Sequence, residues 1–262
     1  MTNTIASCLA ILFLMYASLH AQWVNVPPAK IPRTADGQPN LSAPAPRLPD
    51  GTPDLSGVWR PDNTFEGEPA NFAADLRVDA PFQPWAKVLY DERKTGMRSK
   101  EDPSAQCLPQ GVPRVNAAPG QWKLVQTPEY IVIIYEAFGI LWRQIFLDGR
   151  ELADDAPPTW LGYSTGKWDG DVLVVDTKGF NGKIWLDLLG KPSTDALHVI
   201  ERFHRTDFGH MDIDITIDDP KAYTKPWTVK EHVRLLPDME LMEAICNENN
   251  RSLEHLPGDI SR

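Results

Sequence analysis

The sequence lacks the short motifs that mark the common cofactor- and metal-dependent enzymes. It contains no Gly-x-Gly-x-x-Gly after a candidate strand, no Gly-x-x-x-x-Gly-Lys-Ser/Thr and no His-Glu-x-x-His. A Gly-x-Ser-x-Gly nucleophile elbow is missing as well. The 6 histidines are scattered, and only His204 and His210, on either side of a turn, have a spacing suited to a metal. Neither has a third partner in sequence, so we predict no cofactor and no metal.

An excess of positive charge is also missing. The chain has 26 Lys+Arg against 36 Asp+Glu, a net charge of −10 and a pI near 5.1. Nucleic-acid grooves and surfaces for anionic membranes need clustered lysine and arginine, so we expect neither partner. The 42% hydrophobic and 24% charged residues are typical of a globular protein, and 24 prolines with 17 glycines argue against a mostly helical fold.

Charged side chains are absent from the first 21 residues, which hold a short apolar run from Leu9 to Leu14. This pattern predicts a signal peptide over residues 1–21 and hence a secreted or periplasmic protein. The apolar run is shorter than the roughly 20 residues that a membrane-spanning helix needs, so we predict no stable membrane insertion. The alternative is a buried N-terminal helix, which no polar face or cap supports.

Cysteine is scarce, with 3 residues in the chain. Cys8 would leave with the signal peptide, and Cys107 and Cys246 would remain. Two cysteines in an exported chain are a natural disulfide pair. The alternative is two separate buried thiols.

Proline is concentrated in one half of the chain. Of the 24 prolines, 17 lie between Pro27 and Pro128. Residues 22–54 show no apolar period, which predicts an extended Pro-rich arm. A Pro-rich insertion over about 61–121 and a C-terminal tail over 251–262 complete the predicted organisation around the main domain.

One helix is predicted inside the insertion. Pro84 suits the first helical position, and Gly96 can end the helix. Trp85, Val88 and Leu89 would share one face of it.

Residues 55–250 contain the predicted β domain. Asp169-Gly170 is the strongest short hairpin signal. Short connections favour an antiparallel meander, and so many strands either close into a barrel or pack as a sandwich. We predict an up-and-down barrel of about eight to ten strands. The candidate strands are 122–127, 130–136, 140–147, 159–168, 171–177, 197–205, 211–218, 227–235 and 239–247.

Several sequence strings carry a resemblance to a known family. They are Gly57-x-Trp59, Cys107 to Arg114, Arg143 to Arg150, Gly162 to Asp171 and Asp218 to Trp227. Together they resemble an uncharacterised family of exported bacterial proteins with lipocalin-like, or calycin-like, barrels. The resemblance implies export and a barrel with a tryptophan plugging one end. It implies no catalytic residue.

Face alternation predicts a register for the hairpin with the loop 206–210. Arg205 should face Met211, and Glu201 should face Ile215. The apolar face of this hairpin should point inward and carry Glu201.

The same reasoning for a loop at 236–238 places Leu235 opposite Met239 and Glu231 opposite Glu243. Two carboxylates would then face each other on an otherwise apolar surface, where both cannot ionise cheaply. They would share a proton for acid/base chemistry, or hold a metal or arginine cation, or lie at a wet end where the register slips. Arg143, expected opposite Ile133, is the candidate cationic partner.

Two further side-chain pairs are predicted to be structural rather than catalytic. Tyr163 is predicted to face Asp176, more as a structural hydrogen bond than as a catalytic pair. His204 and Asp212 form a possible base and its orienting carboxylate, although alternation favours an outside location.

The 9 tryptophans suit flat or polycyclic organic ligands, although ordinary core packing will account for most of them.

Our first hypothesis is a cofactor-independent lyase, isomerase or cyclase acting on a small, largely apolar aromatic or terpenoid-like molecule. The alternatives are a carrier of such a ligand and an envelope interaction module with a filled barrel. A monomer or small homo-oligomer is expected. The candidate catalytic residues are Glu201, Glu231, Glu243 and Arg143, and the candidate ligand-binding residues are Tyr135, Trp142, Tyr163, Phe203 and Trp227.

Overall fold

A computed structural model describes residues 31–62, 73, 76, 79–136, 141–152, 156–248 and 250–258. The predicted signal peptide lies outside these residues. The chain divides into two compact units, 1–31 and 32–262, and the fold described below belongs to the second.

The second unit is mostly β and contains a closed barrel of nine strands, which confirms the prediction of a mostly β barrel with eight to ten strands. The described residues also include two α-helices and three 3₁₀ segments. The strands are β1 (Gly57–Pro61), β2 (Trp122–Gln126), β3 (Tyr130–Tyr135), β4 (Leu141–Phe146), β5 (Tyr163–Asp169), β6 (Val172–Lys178), β7 (His198–Arg205), β8 (His210–Asp218) and β9 (Trp227–Leu235). The helices are α1 (Pro84–Arg93) and α2 (Arg114–Ala117), and the 3₁₀ segments are Ser99–Glu101, Pro103–Gln106 and Leu253–His255.

Strand pairing follows chain order, and β1 pairs with β9 to close the barrel. One pair differs from the predicted up-and-down pattern, because β4 and β5 run parallel through Ile145↔Ser164 and Phe146↔Thr165. The connection over residues 147–162 is longer than a hairpin loop, so the chain can turn back and start β5 beside the second half of β4, running in the same direction. The remaining neighbours are antiparallel.

Side chains along the strands alternate between the barrel interior and the outer surface, and the inward-facing ones fill the barrel. On β8, four inward residues have 0% exposure and alternate with partly exposed ones. They are Met211, Ile213, Ile215 and Ile217. The predicted register of the 206–210 hairpin is confirmed, with Arg205 opposite Met211 and Glu201 opposite Ile215.

The Asp-Gly hairpin forms one residue later than predicted. Asp169 pairs with Val172, so Gly170 and Asp171 make the two-residue turn. Gly170 has a φ of 60°, which the first central position of such a turn requires and glycine supplies without strain. The shift places Tyr163 opposite Lys178, and the predicted pairing of Tyr163 with Asp176 is wrong.

The predicted strand over 239–247 does not form. The barrel closes between Trp59 on β1 and Leu235 at the end of β9, so β9 offers no free edge to another strand. The chain therefore leaves the barrel after Leu235.

The disulfide between Cys107 and Cys246 is confirmed, with the two Cα atoms 5.5 Å apart. It joins the Pro-rich insertion to the segment after β9. Asn250 supports it by donating a hydrogen bond from Nδ2 to the Cys107 Sγ at 3.3 Å.

The predicted helix forms as α1 with Pro84 in its first turn. Its inward residues are Ala86 and Tyr90, and the ring of Tyr90 stacks on Phe82 at 5.0 Å. The predicted apolar face points outward instead, with Trp85 45% exposed.

Residues 32–54 contain turns and isolated bridges, and they lie along the loops at one side of the barrel. Gly209 and Phe208 donate backbone hydrogen bonds to the carbonyls of Leu41 and Ala43, each at 2.7 Å. Arg47 pairs with Asp171 at 2.5 Å. The domain boundaries given in the sequence analysis stay predictions.

Trp59 and Arg205 occupy the barrel end beside this segment. Trp59 has 0% exposure, and the Arg205 guanidinium lies 4.9 Å from its ring centroid. Arg205 donates to the backbone carbonyls of Asp54 at 2.5 Å, of Asp207 at 3.2 Å and of Phe208. Burial lowers the pKa of Arg205 to about 10, which leaves it charged at neutral pH.

We expect Arg205→Met to lower the free energy of unfolding by about 2–3 kcal/mol, because three carbonyls lose their shared donor. Chemical denaturation measures this loss. Arg202→Met is the matched control on the same strand, since Arg202 forms an exposed pair with Asp169 and should matter by less than about 1 kcal/mol. Equal losses in the two variants would contradict the role of Arg205.

Candidate functional site

A polar cluster lies inside the barrel on strands β3, β4 and β7. Tyr135, Arg143 and Glu201 are each 3% exposed or less. Arg143 also lies opposite Ile133, as predicted. Its Nη2 donates to the Glu201 Oε2 at 2.5 Å, which pairs the two buried charges. The predicted partnership of a buried arginine with an interior carboxylate is therefore present, with Glu201 as the partner.

Neighbouring side chains add three further hydrogen bonds to this ion pair. Arg143 donates from Nε to the Ser164 Oγ at 3.0 Å and from Nη2 to the Thr177 Oγ1 at 2.8 Å. Asn116 donates from Nδ2 to the Glu201 Oε1 at 2.9 Å. A continuous polar chain thus crosses the barrel interior from the insertion to β6.

Asn116 lies on α2, so the Pro-rich insertion supplies a polar group to the barrel interior. Its Oδ1 accepts a hydrogen bond from the Tyr135 hydroxyl at 2.7 Å. Its backbone carbonyl accepts from the Trp122 indole at 3.2 Å. All of its described polar contacts are with buried groups, and its own exposure is 0%.

The protonation states inside the cluster follow from burial and charge. Burial raises the pKa of Tyr135 well above its ordinary value, so the hydroxyl stays protonated. Burial alone would lower the pKa of Arg143, but the Glu201 carboxylate and Tyr135 together outweigh it, and the pKa lies above the ordinary value. Neither group is placed to exchange protons near neutral pH.

The predicted carboxylate pair is not present. Glu231 points inward from β9 at 3% exposure and lies opposite Ile213. Glu243 lies after the last strand and is exposed. The predicted register is wrong because closure of the barrel leaves no edge for residues 239–247. The acid/base role of the pair loses its geometric basis.

Two predicted ligand-binding residues lie outside the barrel. Trp142 precedes inward-facing Arg143, so alternation turns it outward, and it is 57% exposed. Tyr163 precedes inward-facing Ser164 and donates from its hydroxyl to the Pro157 carbonyl at 2.9 Å. The other three predicted ligand-binding residues, Tyr135, Phe203 and Trp227, are buried in the core.

The histidine-carboxylate pairs lie on the outer surface. His204 faces Asp212 across the hairpin and is exposed, as alternation favoured. The hydrogen bond to Asp212 comes from His232 Nδ1 at 2.7 Å instead. Asp176 pairs in the same way with His198 Nε2 at 2.7 Å.

An open groove lies outside the barrel between α1, the segment over 101–108 and the connection over 181–195. Its volume is about 680 Å³. We call it the tryptophan groove, because its lining includes Trp85, Trp160 and Trp185.

The walls of the tryptophan groove are aromatic and partly open to solvent. Trp85 is 45% exposed and is fixed by a hydrogen bond from its Nε1 to the Lys221 carbonyl at 2.8 Å. Leu108 is 37% exposed, whereas Trp185 is 3% exposed and forms the floor. The polar and charged groups in its lining are Arg93, Glu101, Gln106, Asn181, Lys183, Ser193, Thr194 and Asp195.

The tryptophan groove was not predicted from the sequence. It could have been suspected from the apolar face of α1, because Trp85 and Leu89 lie side by side on that face and line the groove instead of packing into the core. Asn116 was missed as well, since its short helix has no apolar period.

Among the described residues, no group of three His, Cys, Asp or Glu could hold a metal ion. In the same part of the chain, no helix is long and apolar enough to cross a membrane. Comparisons with protein-family models, curated proteins and solved structures found no match.

Proposed function

We propose that the protein is an exported, lipocalin-like barrel that binds a small, flat, largely apolar organic molecule in the tryptophan groove. The observation that carries this proposal is the exposed indole of Trp85 in a concave site of about 680 Å³. Ligand pockets usually span about 300–1,000 Å³ and combine apolar walls with a few polar groups. The groove has both features.

Exposure of so much aromatic surface has an energetic consequence. Each Å² of apolar surface left in water costs about 25 cal/mol relative to burial. A flat ligand lying over Trp85 would remove this surface from water and cover its own apolar face. The rigid indole, already hydrogen-bonded to Lys221, loses little side-chain freedom on binding.

Binding is favoured over turnover by the state of the interior cluster. Arg143 and Glu201 contact each other and Asn116, Ser164 and Thr177. A substrate would have to break these bonds in order to reach the carboxylate, whereas the tryptophan groove is open. The carrier hypothesis therefore fits the geometry better than the lyase, isomerase or cyclase hypothesis.

Two observations support the compartment and the finer fold assignment. The Cys107–Cys246 disulfide suits an oxidising environment such as the periplasm or the cell exterior. Gly57-x-Trp59 lies on the first strand, and Trp59 is buried at one barrel end, as the lipocalin-like resemblance implies.

We expect Trp85→Ala to raise the Kd for N-phenyl-1-naphthylamine roughly 10- to 100-fold, because one aromatic contact is worth about 1.5–3 kcal/mol. The probe's fluorescence increase on binding measures the affinity. Trp142→Ala is the matched control, since Trp142 is similarly exposed but lies outside the groove. Its Kd should stay within about twofold of the wild-type value. Equal effects of the two variants, or none, would contradict the proposal.

Cofactor-independent catalysis is the second candidate, and it would have to use the interior ion pair. Arg143 and Glu201 form a buried cation and carboxylate beside the protonated hydroxyl of Tyr135. Catalysis would require a substrate-sized space beside them. A crystal under xenon pressure should show xenon at Glu201 if this candidate is right. Xenon confined to the tryptophan groove would contradict it, and xenon at neither place would favour the filled-barrel interaction module.

A further inference from the structure

The charge distribution of the tryptophan groove points to a specific ligand class, and this inference rests on the proposed function. We infer that the groove binds a planar aromatic carboxylate, whose ring lies against Trp85 and whose carboxylate meets Arg93. The two residues belong to the same helix, α1, and both line the groove.

Arg93 is held in place at the groove but not neutralised there. Its guanidinium carbon lies 4.4 Å from the ring centroid of Trp185. Its Nη1 donates to the Gly190 carbonyl at 3.2 Å. A Cβ added to Gly190 would come within 2.6 Å of the Arg93 side chain, so the backbone at Gly190 packs directly against the arginine. The guanidinium is thus positioned before a ligand arrives.

The nearest acidic groups are already engaged by other arginines. Glu101 accepts a hydrogen bond from Arg98 Nε at 2.6 Å. Asp102 accepts two from Arg114, both at 2.8 Å. Within the described part of the chain, Arg93 has no carboxylate within 4.0 Å, and its Nη2 donates no hydrogen bond, while its Nε is fully buried and faces away from solvent. A half-buried arginine with an unused donor is suited to an incoming anion.

The electrostatics of the guanidinium agree with this geometry. Burial lowers the pKa of Arg93 to about 10, an effect that Glu101 only partly opposes. The group stays charged at neutral pH, so it bears a desolvation cost that a contacting anion would offset. Arg143 differs, because its pKa is raised by the carboxylate it contacts.

Among the remaining charged residues that the structure describes in the lining, the acidic one is paired and the basic one is not, so a ligand in the groove would meet a net positive charge. Lys183 is exposed and forms no ion pair with any residue that the structure describes. Asp195 is neutralised by Lys221 at 2.7 Å. A planar guanidinium fork matches a carboxylate geometrically, and the tryptophans favour an aromatic body over an extended chain.

Isothermal titration calorimetry with 2-naphthoate and 2-naphthamide tests this inference, because the two probes share a shape and differ in charge. The wild-type protein should bind 2-naphthoate at least about tenfold more tightly. Arg93→Met keeps an apolar stem of similar length and should remove the preference, while the Kd for 2-naphthamide changes by less than about twofold. Arg93→Lys should retain part of the preference, and Arg202→Met, a charge removal outside the groove, should retain all of it.

The outcomes separate this inference from the proposed function. Equal binding of both probes to the wild-type protein, or a preference that survives in Arg93→Met, overturns the carboxylate inference and leaves the binding function standing. Failure of both probes to bind overturns both. The comparison of the two probes on the wild-type protein decides the inference even if Arg93→Met does not fold.

Discussion

Replacing Glu201 with Gln is expected to lower the free energy of unfolding by about 3–5 kcal/mol. The change leaves the Arg143 guanidinium buried without its carboxylate, and Ser164 and Thr177 can offer only neutral hydroxyls in return. Leaving a buried cation unpaired is costly because its desolvation is no longer offset by an opposite charge. Urea denaturation followed by circular dichroism measures the loss.

The surface variant Asp169→Asn is the control for this experiment. It removes the carboxylate of an exposed pair with Arg202 and should cost less than about 1 kcal/mol. The double variant Arg143→Met, Glu201→Met should lose less stability than the sum of its single variants, because no charge is left unpaired. Additive losses, or a Glu201→Gln variant as stable as the wild type, would show that the two side chains do not interact as described.

Breaking the Cys107–Cys246 disulfide is expected to have the second large effect. The bond spans a sequence separation of 139 residues, and removing a native disulfide commonly costs about 2–5 kcal/mol. For a domain of this size we expect the Tm to fall by roughly 4–20 °C. In the loop-entropy account the loss arises mainly because the open chain gains conformational freedom when unfolded. Thermal denaturation of the double variant Cys107→Ser, Cys246→Ser measures it.

Two controls accompany the disulfide experiment. Cys8→Ser should leave the Tm unchanged, because Cys8 takes no part in the bond. Thiol counting on denatured, unreduced protein should find neither Cys107 nor Cys246 free. A Tm that is insensitive to a reducing agent would mean that the bond contributes nothing to stability.

The features that sequence predicted correctly depend on local patterns. The register of the 206–210 hairpin follows from loop length and face alternation, and a slip of one residue would turn Glu201 out of the core. The same alternation put Arg143 inside the barrel opposite Ile133. The disulfide followed from there being only two cysteines outside the predicted signal peptide.

Two features that sequence predicted wrongly depend on the path of the chain around the whole barrel. Glu243 was placed on a final strand, but β1 occupies the edge that such a strand would need. The parallel pairing of β4 with β5 depends on the path of a long connection, which no residue pattern specifies. Local alternation carries no information on either point.

In the candidate site, too, local patterns predicted some residues, whereas others are brought together only by tertiary packing. Arg143 and Glu201 could be found because charges stand out on apolar strand faces. Asn116 reaches the barrel interior from a Pro-rich segment without periodicity. The tryptophan groove is assembled from four separate segments, and only their packing makes Trp85 part of a concave surface.

Anomalous diffraction from a crystal soaked with 6-bromo-2-naphthol locates a bound ligand directly and so tests whether the tryptophan groove is the ligand site. The probe is neutral at the crystallisation pH, so the result does not depend on the carboxylate inference. We expect a bromine peak in the groove beside Trp85 that is absent from crystals of Trp85→Ala. A bromine peak inside the barrel beside Arg143 and Glu201, or no ordered bromine in the wild-type crystal, would contradict it.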